Sequence, residues 1–225
     1  MSEILTQVLN LNEAATTVQD VSQEQKYFAY TMMMLTLIGL ECFMMMPLIV
    51  GKARRKTFTA SFMDQFMENH RRELSSTDEG INEPILPPVG GYPDAGSGRF
   101  SEKLAYKDWY EFNNAQRVHL NFIEQLPLIL TLILIVAMKD SLASLIISIV
   151  YFVARLTYTV GYLIGGPNYR AVGALTILAL LVISFGYGFY ASAEMIKFLN
   201  YTVVSSTTNS ASTTTDASAA TPATE

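Results

Sequence analysis

The chain has 225 residues, half of them hydrophobic and only 16% charged, with a formal net charge of −5. Average soluble domains are about 25% charged, and here long windows hold almost no charge, so the composition is that of a membrane protein and not of an ordinary soluble domain. No basic cluster with interleaved aromatics points to a nucleic-acid partner, and the single cysteine, Cys42, excludes an intrachain disulfide framework.

Residues 1–26 form a polar N-terminal segment with four acidic residues against one lysine. They show neither the charged start nor the apolar stretch of a signal peptide, so the first apolar run is expected to insert as a spanning helix. Four runs are long enough to cross a bilayer: 27–51, 118–138, 141–164 and 171–196. A crossing helix needs about 20 residues, and helices are the form that closes its backbone hydrogen bonds in lipid. The expected fold is therefore an all-α integral membrane bundle of four transmembrane helices, occupying 27–198. Pro127 is expected to kink the second span. Lys139-Asp140 and Gly165-Gly166-Pro167-Asn168 are tight connections, which makes the last three spans antiparallel neighbours.

Between the first two spans lies a long loop, 52–117. It opens with Lys52, Arg54, Arg55 and Lys56, and the positive-inside bias places it in the cytosol with both termini opposite. Phe62, Met63, Phe66 and Met67 recur at helical spacing among Asp64, Glu68, Arg71 and Arg72, the pattern of a helix lying on the membrane surface. Residues 84–98 are rich in Pro and Gly and are expected to be irregular. Trp109, Tyr110 and Phe112 precede the second span, where interfacial aromatics belong. After the last span, 199–225 is a Ser/Thr-rich tail expected to be disordered.

The second span carries an unusual polar load. Residues 113–127 include Arg117, His119, Asn121, Glu124 and Gln125 at the start of an apolar run. A charge at the centre of a membrane helix costs roughly 2.5 to 3.5 kcal/mol. At about 100° per residue, Arg117, Asn121 and Glu124 share one face, which must meet protein, a cavity or a polar ligand. The topology gathers Arg54, Arg55, Arg117, Asn121, Tyr158, Tyr162 and Arg170 near one membrane face. Arg155, at i−3 from Tyr158, lies about 15 Å inside that boundary and needs a carboxylate partner, either Glu124 or Glu41. An excess of cations over carboxylates at one end of the bundle points to an anionic ligand.

Three motifs resemble those of the MAPEG superfamily, the membrane-associated proteins of eicosanoid and glutathione metabolism. Asn-Ala-Gln-Arg-Val-His-Leu-Asn-Phe-Ile-Glu-Gln-Leu-Pro at 114–127 is similar to its second-helix signature. Lys52-Ala53-Arg54-Arg55-Lys56 resembles the basic end of its first helix. Val153 to Tyr162, followed by Gly165 to Arg170, resembles the third helix and next turn of the microsomal glutathione transferase 3 branch. The resemblance covers roughly 26–56 and 105–196 and implies a homotrimer holding glutathione, as co-substrate, between subunits near the cytosolic face. It implies that Arg54, Arg117, Asn121, Glu124, Tyr158 and Tyr162 bind glutathione, with Arg155 grouped among them. Arg170 would stabilise the thiolate, and Arg55 would act on the lipid substrate.

The implied activity is a glutathione transferase or peroxidase acting on lipophilic electrophiles or lipid hydroperoxides, or a leukotriene C4 synthase-like transfer, in detoxification or lipid metabolism. The implied setting is the endoplasmic reticulum or a mitochondrial membrane. No metal site is expected. Two departures from the family pattern stand out: Gln125-Leu126 replaces the usual aromatic between Glu and Pro, and the first loop is long enough to cover or restrict the site. The rival readings are an inactive accessory subunit with the same fold and a metal transporter. The second is prompted by Met32-Met33-Met34 and Met44-Met45-Met46, since methionine ligates soft Cu(I), although such methionines also serve as packing filler.

Overall fold

The computed structural model describes residues 2–74 and 86–218, with side chains described for 23–74 and 86–205. Among the described residues every regular element is helical. The α-helices are α1 (Ser2–Met45), α2 (Gly51–Thr57), α3 (Ala60–Met63), α4 (Met67–Leu74), α5 (Tyr106–Ala137), α6 (Ser141–Gly165) and α7 (Ala171–Ser218). A π-helical turn, Met46–Val50, joins α1 to α2 without a break. Gln23–Thr57, Tyr106–Ala137, Ser141–Asn168 and Ala171–Ser205 are each long and apolar enough to cross a membrane. The chain is thus a four-span membrane protein.

α6 is the central helix and packs against α1, α5 and α7. Its buried positions, Ser144, Ile147, Ser148, Tyr151, Ala154, Arg155, Tyr158, Thr159 and Tyr162, follow the helical period and form one broad inward stripe. Ile38, Cys42 and Met45 from α1, Phe122, Ile129 and Ile133 from α5, and Ile177 and Leu180 from α7 close around it. Met45 is therefore core filler, and Thr159 Oγ1 donates to its sulfur at 4.0 Å. Side chains such as Phe43, Val153, Val182 and Phe189 face outward, as a lipid-facing surface does.

The connections are as tight as expected. Asp140 caps α6 by accepting from the Ala143 amide at 2.8 Å, and it also accepts from the Tyr187 hydroxyl at 2.7 Å. These bonds, the Ala143 amide foremost, hold its carboxyl below the ordinary carboxylate value. Three helices outrun the apolar windows. α1 begins at Ser2, α5 begins at Tyr106, and α7 continues into the Ser/Thr-rich tail as far as Ser218. Hydropathy marks the bilayer-length part of a helix, whereas propagation past it costs little once the helix is nucleated. The 199–225 tail is thus described as helix up to Ser218; residues 219–225 lie outside the described residues.

Two glycines four apart on a helix let another backbone approach closely, and Gly161 and Gly165 serve this inside the subunit. A Cβ on Gly161 would strike the Tyr169 carbonyl, and one on Gly165 would strike the Tyr169 ring. Both glycines let the Gly166–Asn168 turn fold back against α6, which sets the direction of Arg170.

Candidate functional site

The site is built at the end of the bundle where α2 ends, α5 begins and α6 turns into α7. Gly173 brings α7 against α6: a Cβ there would lie 2.5 Å from the Tyr158 amide nitrogen. This close approach sets Arg170, one turn earlier, beside Tyr158. The Tyr158 hydroxyl accepts from Arg170 Nη1 at 2.8 Å and from Asn121 Nδ2 at 2.7 Å. Three helical segments thus meet at one oxygen. The Arg170 guanidinium also lies 5.2 Å from the Tyr162 ring, and the Tyr158 and Tyr162 rings are 5.7 Å apart.

Beside this junction is a cavity of about 210 Å³, lined by Asn121, Gln125, Tyr158, Arg170, Ala174, Ile177, Leu178 and Leu181. The four polar groups gather where α5, α6 and the start of α7 meet. The four α7 residues recur at i, i+3, i+4 and i+7 and make the other wall apolar. Leu178 is 57% exposed, so the apolar wall reaches the outer surface of the bundle. With both lone pairs of the Tyr158 oxygen filled, its own O–H is left to donate. Arg170 and the tyrosine together form a donor-rich wall suited to an anion.

The other expected residues divide into three groups. Arg117 and Glu124 are exposed on α5, at the same end but not among the residues lining the cavity, and Arg55 is exposed on α2. Arg117 still interacts electrostatically with Tyr162. Tyr162 is 5% exposed, beneath the Arg170 side chain. Arg155 is fully buried and does not line the cavity.

The expected carboxylate partner of Arg155 is not found: no ion pair within 4 Å joins it to Glu41 or Glu124 among the described residues. Its Nη1 donates to Gln125 Oε1 at 3.3 Å and its Nη2 to the Val118 carbonyl at 3.5 Å. The guanidinium sits 4.0 Å from the centre of the Phe122 ring and 4.8 Å from that of Tyr158. Ring faces and oxygen acceptors thus replace a direct carboxylate contact. Glu41 stays within electrostatic reach, but neither of its buried oxygens takes a hydrogen bond.

Arg54 differs most from expectation. It is 5% exposed and enclosed by the long loop. Its Nη1 donates to the Gly90 carbonyl at 3.0 Å, and its guanidinium lies 4.2 Å from the Tyr92 ring and 5.2 Å from that of Phe112. The loop is a built cap. Asp94 accepts from the Gly96 amide at 2.8 Å, the Gly98 amide at 2.9 Å, and the Ser101 amide and hydroxyl at 2.7 and 2.6 Å. Burial pushes the Asp94 carboxyl up, but these four bonds outweigh it and hold it below its ordinary value. Trp109 Nε1 and Asn113 Nδ2 both donate to the Gly96 carbonyl, at 3.0 and 3.1 Å, which anchors the cap to α5.

The α3–α4 segment is part of the same construction. Phe58, Met63 and Phe112 form a buried cluster joined by Phe62, Phe66 and Phe100. Its apolar face is thus turned onto the protein, a correction to the expected membrane-surface helix. Trp109 likewise serves the cap as a hydrogen-bond donor. The contributions of Gln125 and Gly90 to the site were not foreseen from the sequence. Gln125 stood out there as one of the polar residues of the second span and as a departure from the family pattern, without a role at the site.

No curated protein sequence matches this chain. The model of the MAPEG family matches residues 31–190, which reach into all four spans and take in the Tyr158 junction and the cap, and the chain belongs to that family.

Proposed function

We propose that this protein is a glutathione-dependent membrane transferase or peroxidase, close to the microsomal glutathione transferase 3 branch of its family. The observation that carries the reading is the Asn121–Tyr158–Arg170 junction on a cavity with one donor wall and one apolar wall. A free thiol has a pKa near 8.5, so only a few per cent is ionised at neutral pH. Arg170 supplies a fixed positive charge that favours the thiolate, and the Tyr158 O–H supplies a further donor. Asn121 holds Tyr158 in place. The apolar wall from α7 gives a lipophilic electrophile or hydroperoxide a route in from the bilayer.

Arg117 and Glu124, exposed at the same end, support a homotrimer in which glutathione spans two subunits and these residues hold its ends. The cap over Arg54 favours a second reading, a catalytically silent accessory subunit, because it occupies a cation expected to bind the peptide. The basic start of the long loop supports a cytosolic site, and the endoplasmic reticulum is the proposed membrane, with the mitochondrial membrane second.

Isothermal titration of the detergent-solubilised protein with glutathione, followed by ultraviolet detection of thiolate on mixing, tests the proposal. Binding with thiolate formation is expected. Binding without thiolate or turnover with any of a panel of lipid electrophiles would establish the accessory reading, and no binding by a trimeric preparation would overturn both the site and the activity.

A further inference from the structure

Gln125 stands where the donor wall of the cavity meets its apolar wall. It lies one turn beyond Asn121 on α5, about 6 Å deeper along the helix, and faces the cavity with Ile177 and Leu181. Its amide orientation is decided by its neighbour. Arg155 has donors only, so the Gln125 atom that meets Arg155 Nη1 at 3.3 Å is the carbonyl oxygen Oε1. With Oε1 so engaged, the Nε2 amino group carries the two N–H donors left to the cavity. Arg155 is itself held by the Phe122 and Tyr158 rings and the Val118 carbonyl, so the amide is oriented from a fixed base.

We infer that Gln125 is a substrate-contacting residue that donates through Nε2 to an acceptor oxygen on the lipophilic co-substrate, and that Arg155 is its positioning residue. The inference rests on the proposed glutathione chemistry and narrows its electrophile to one that gathers negative charge on oxygen, such as a conjugated enal. In that reaction the thiolate sulfur bonds to the β-carbon and the C=C electron pair moves through the conjugated system onto the carbonyl oxygen. Gln125 Nε2 donates to that oxygen as its charge develops, and water then returns a proton to the α-carbon. A donor aimed at developing oxyanion charge in a water-poor site strengthens during the reaction, which is what lowers a barrier. A halide leaving group on a benzylic carbon develops no such oxygen.

The test compares kcat/KM for glutathione addition to trans-2-nonenal with that for benzyl chloride, in the full-length protein. Gln125→Met keeps the side-chain length and removes the donors. Gln125→Glu keeps an acceptor for Arg155 and also removes them, which guards against a folding defect in the first variant. Both should lower the nonenal-to-benzyl-chloride ratio by at least about tenfold. Arg155→Lys should lower the same ratio, and adding it to Gln125→Met should lower it no further, because its effect passes through the glutamine. An unchanged ratio in both Gln125 variants would overturn the inference, as would a ratio in Arg155→Lys equal to that of the parent. Failure of the unmodified protein to conjugate either electrophile would instead overturn the glutathione chemistry on which it stands.

Discussion

Arg170 and Tyr158, 12 residues apart in sequence, are joined by a 2.8 Å hydrogen bond in which the guanidinium donates to the phenol oxygen. The bond depends on the Gly166–Asn168 turn folding back over Gly161 and on α7 pressing against α6 at Gly173. Asn121 completes the junction from α5. A charged group at the rim is thereby tied to a tyrosine that is 4% exposed, so the cation keeps its position beside the cavity.

Tyr158→Phe removes the common acceptor of Asn121 and Arg170. The expected loss is about 1 to 3 kcal/mol of stability, from two donors left without their partner. A lower thermal midpoint in detergent, together with weaker glutathione binding by titration, is the expected pair of results. An unchanged midpoint would show that the junction adds nothing to the fold.

Arg170→Leu should slow turnover about tenfold for each 1.4 kcal/mol of thiolate stabilisation lost. Without the cation the thiol returns toward its ordinary pKa near 8.5, so raising the pH should restore part of the rate. A pH–rate profile that rises toward pH 9 in the variant and is flatter in the parent is expected. Normal turnover at pH 7 would move the role to Arg55.

Asp94→Asn should loosen the cap. The Asp94 carboxyl is held below its ordinary value, so its stabilisation is complete above about pH 4 and is lost as pH falls through the depressed folded value. Replacing the charge costs about 1 to 3 kcal/mol of local stability. Hydrogen exchange should quicken in 90–101 at neutral pH while the core of α6 stays protected. Uniform exchange across both segments would show that the cap is not a separate local unit.

Gly173→Ala should drive α7 away from Tyr158, since the added Cβ would lie 2.5 Å from backbone. Overpacking of this kind costs about 1 to 3 kcal/mol. Both the thermal midpoint and the thiolate signal should fall, because Arg170 moves with α7. Gly186→Ala, where a Cβ meets nothing within 4 Å, is the control and should not lower the midpoint, since Ala favours a helix interior over Gly.

The four spans and their short connections were legible in the sequence because lipid imposes a length and composition that hydropathy reads directly. The polar load at 113–127 and the gathering of Tyr158 and Arg170 near one end were legible for the same reason: polar groups in an apolar run must converge on something. Three matters were decided only by tertiary structure. Arg54 and Arg170 are both arginines at the same end of the bundle, and nothing local separates them. The cap, held by Asp94 and by Trp109, takes one and leaves the other beside the cavity. Arg155 needed a partner at its depth, but whether a carboxylate, an amide or a ring face supplies it depends on the rotation of α5 and α1 about α6. The inward turn of Phe62 and Met63 depends on Phe58 and Phe112, far apart in sequence, lying side by side. A helical period shows that a face is apolar; what covers it is set by packing between segments distant along the chain.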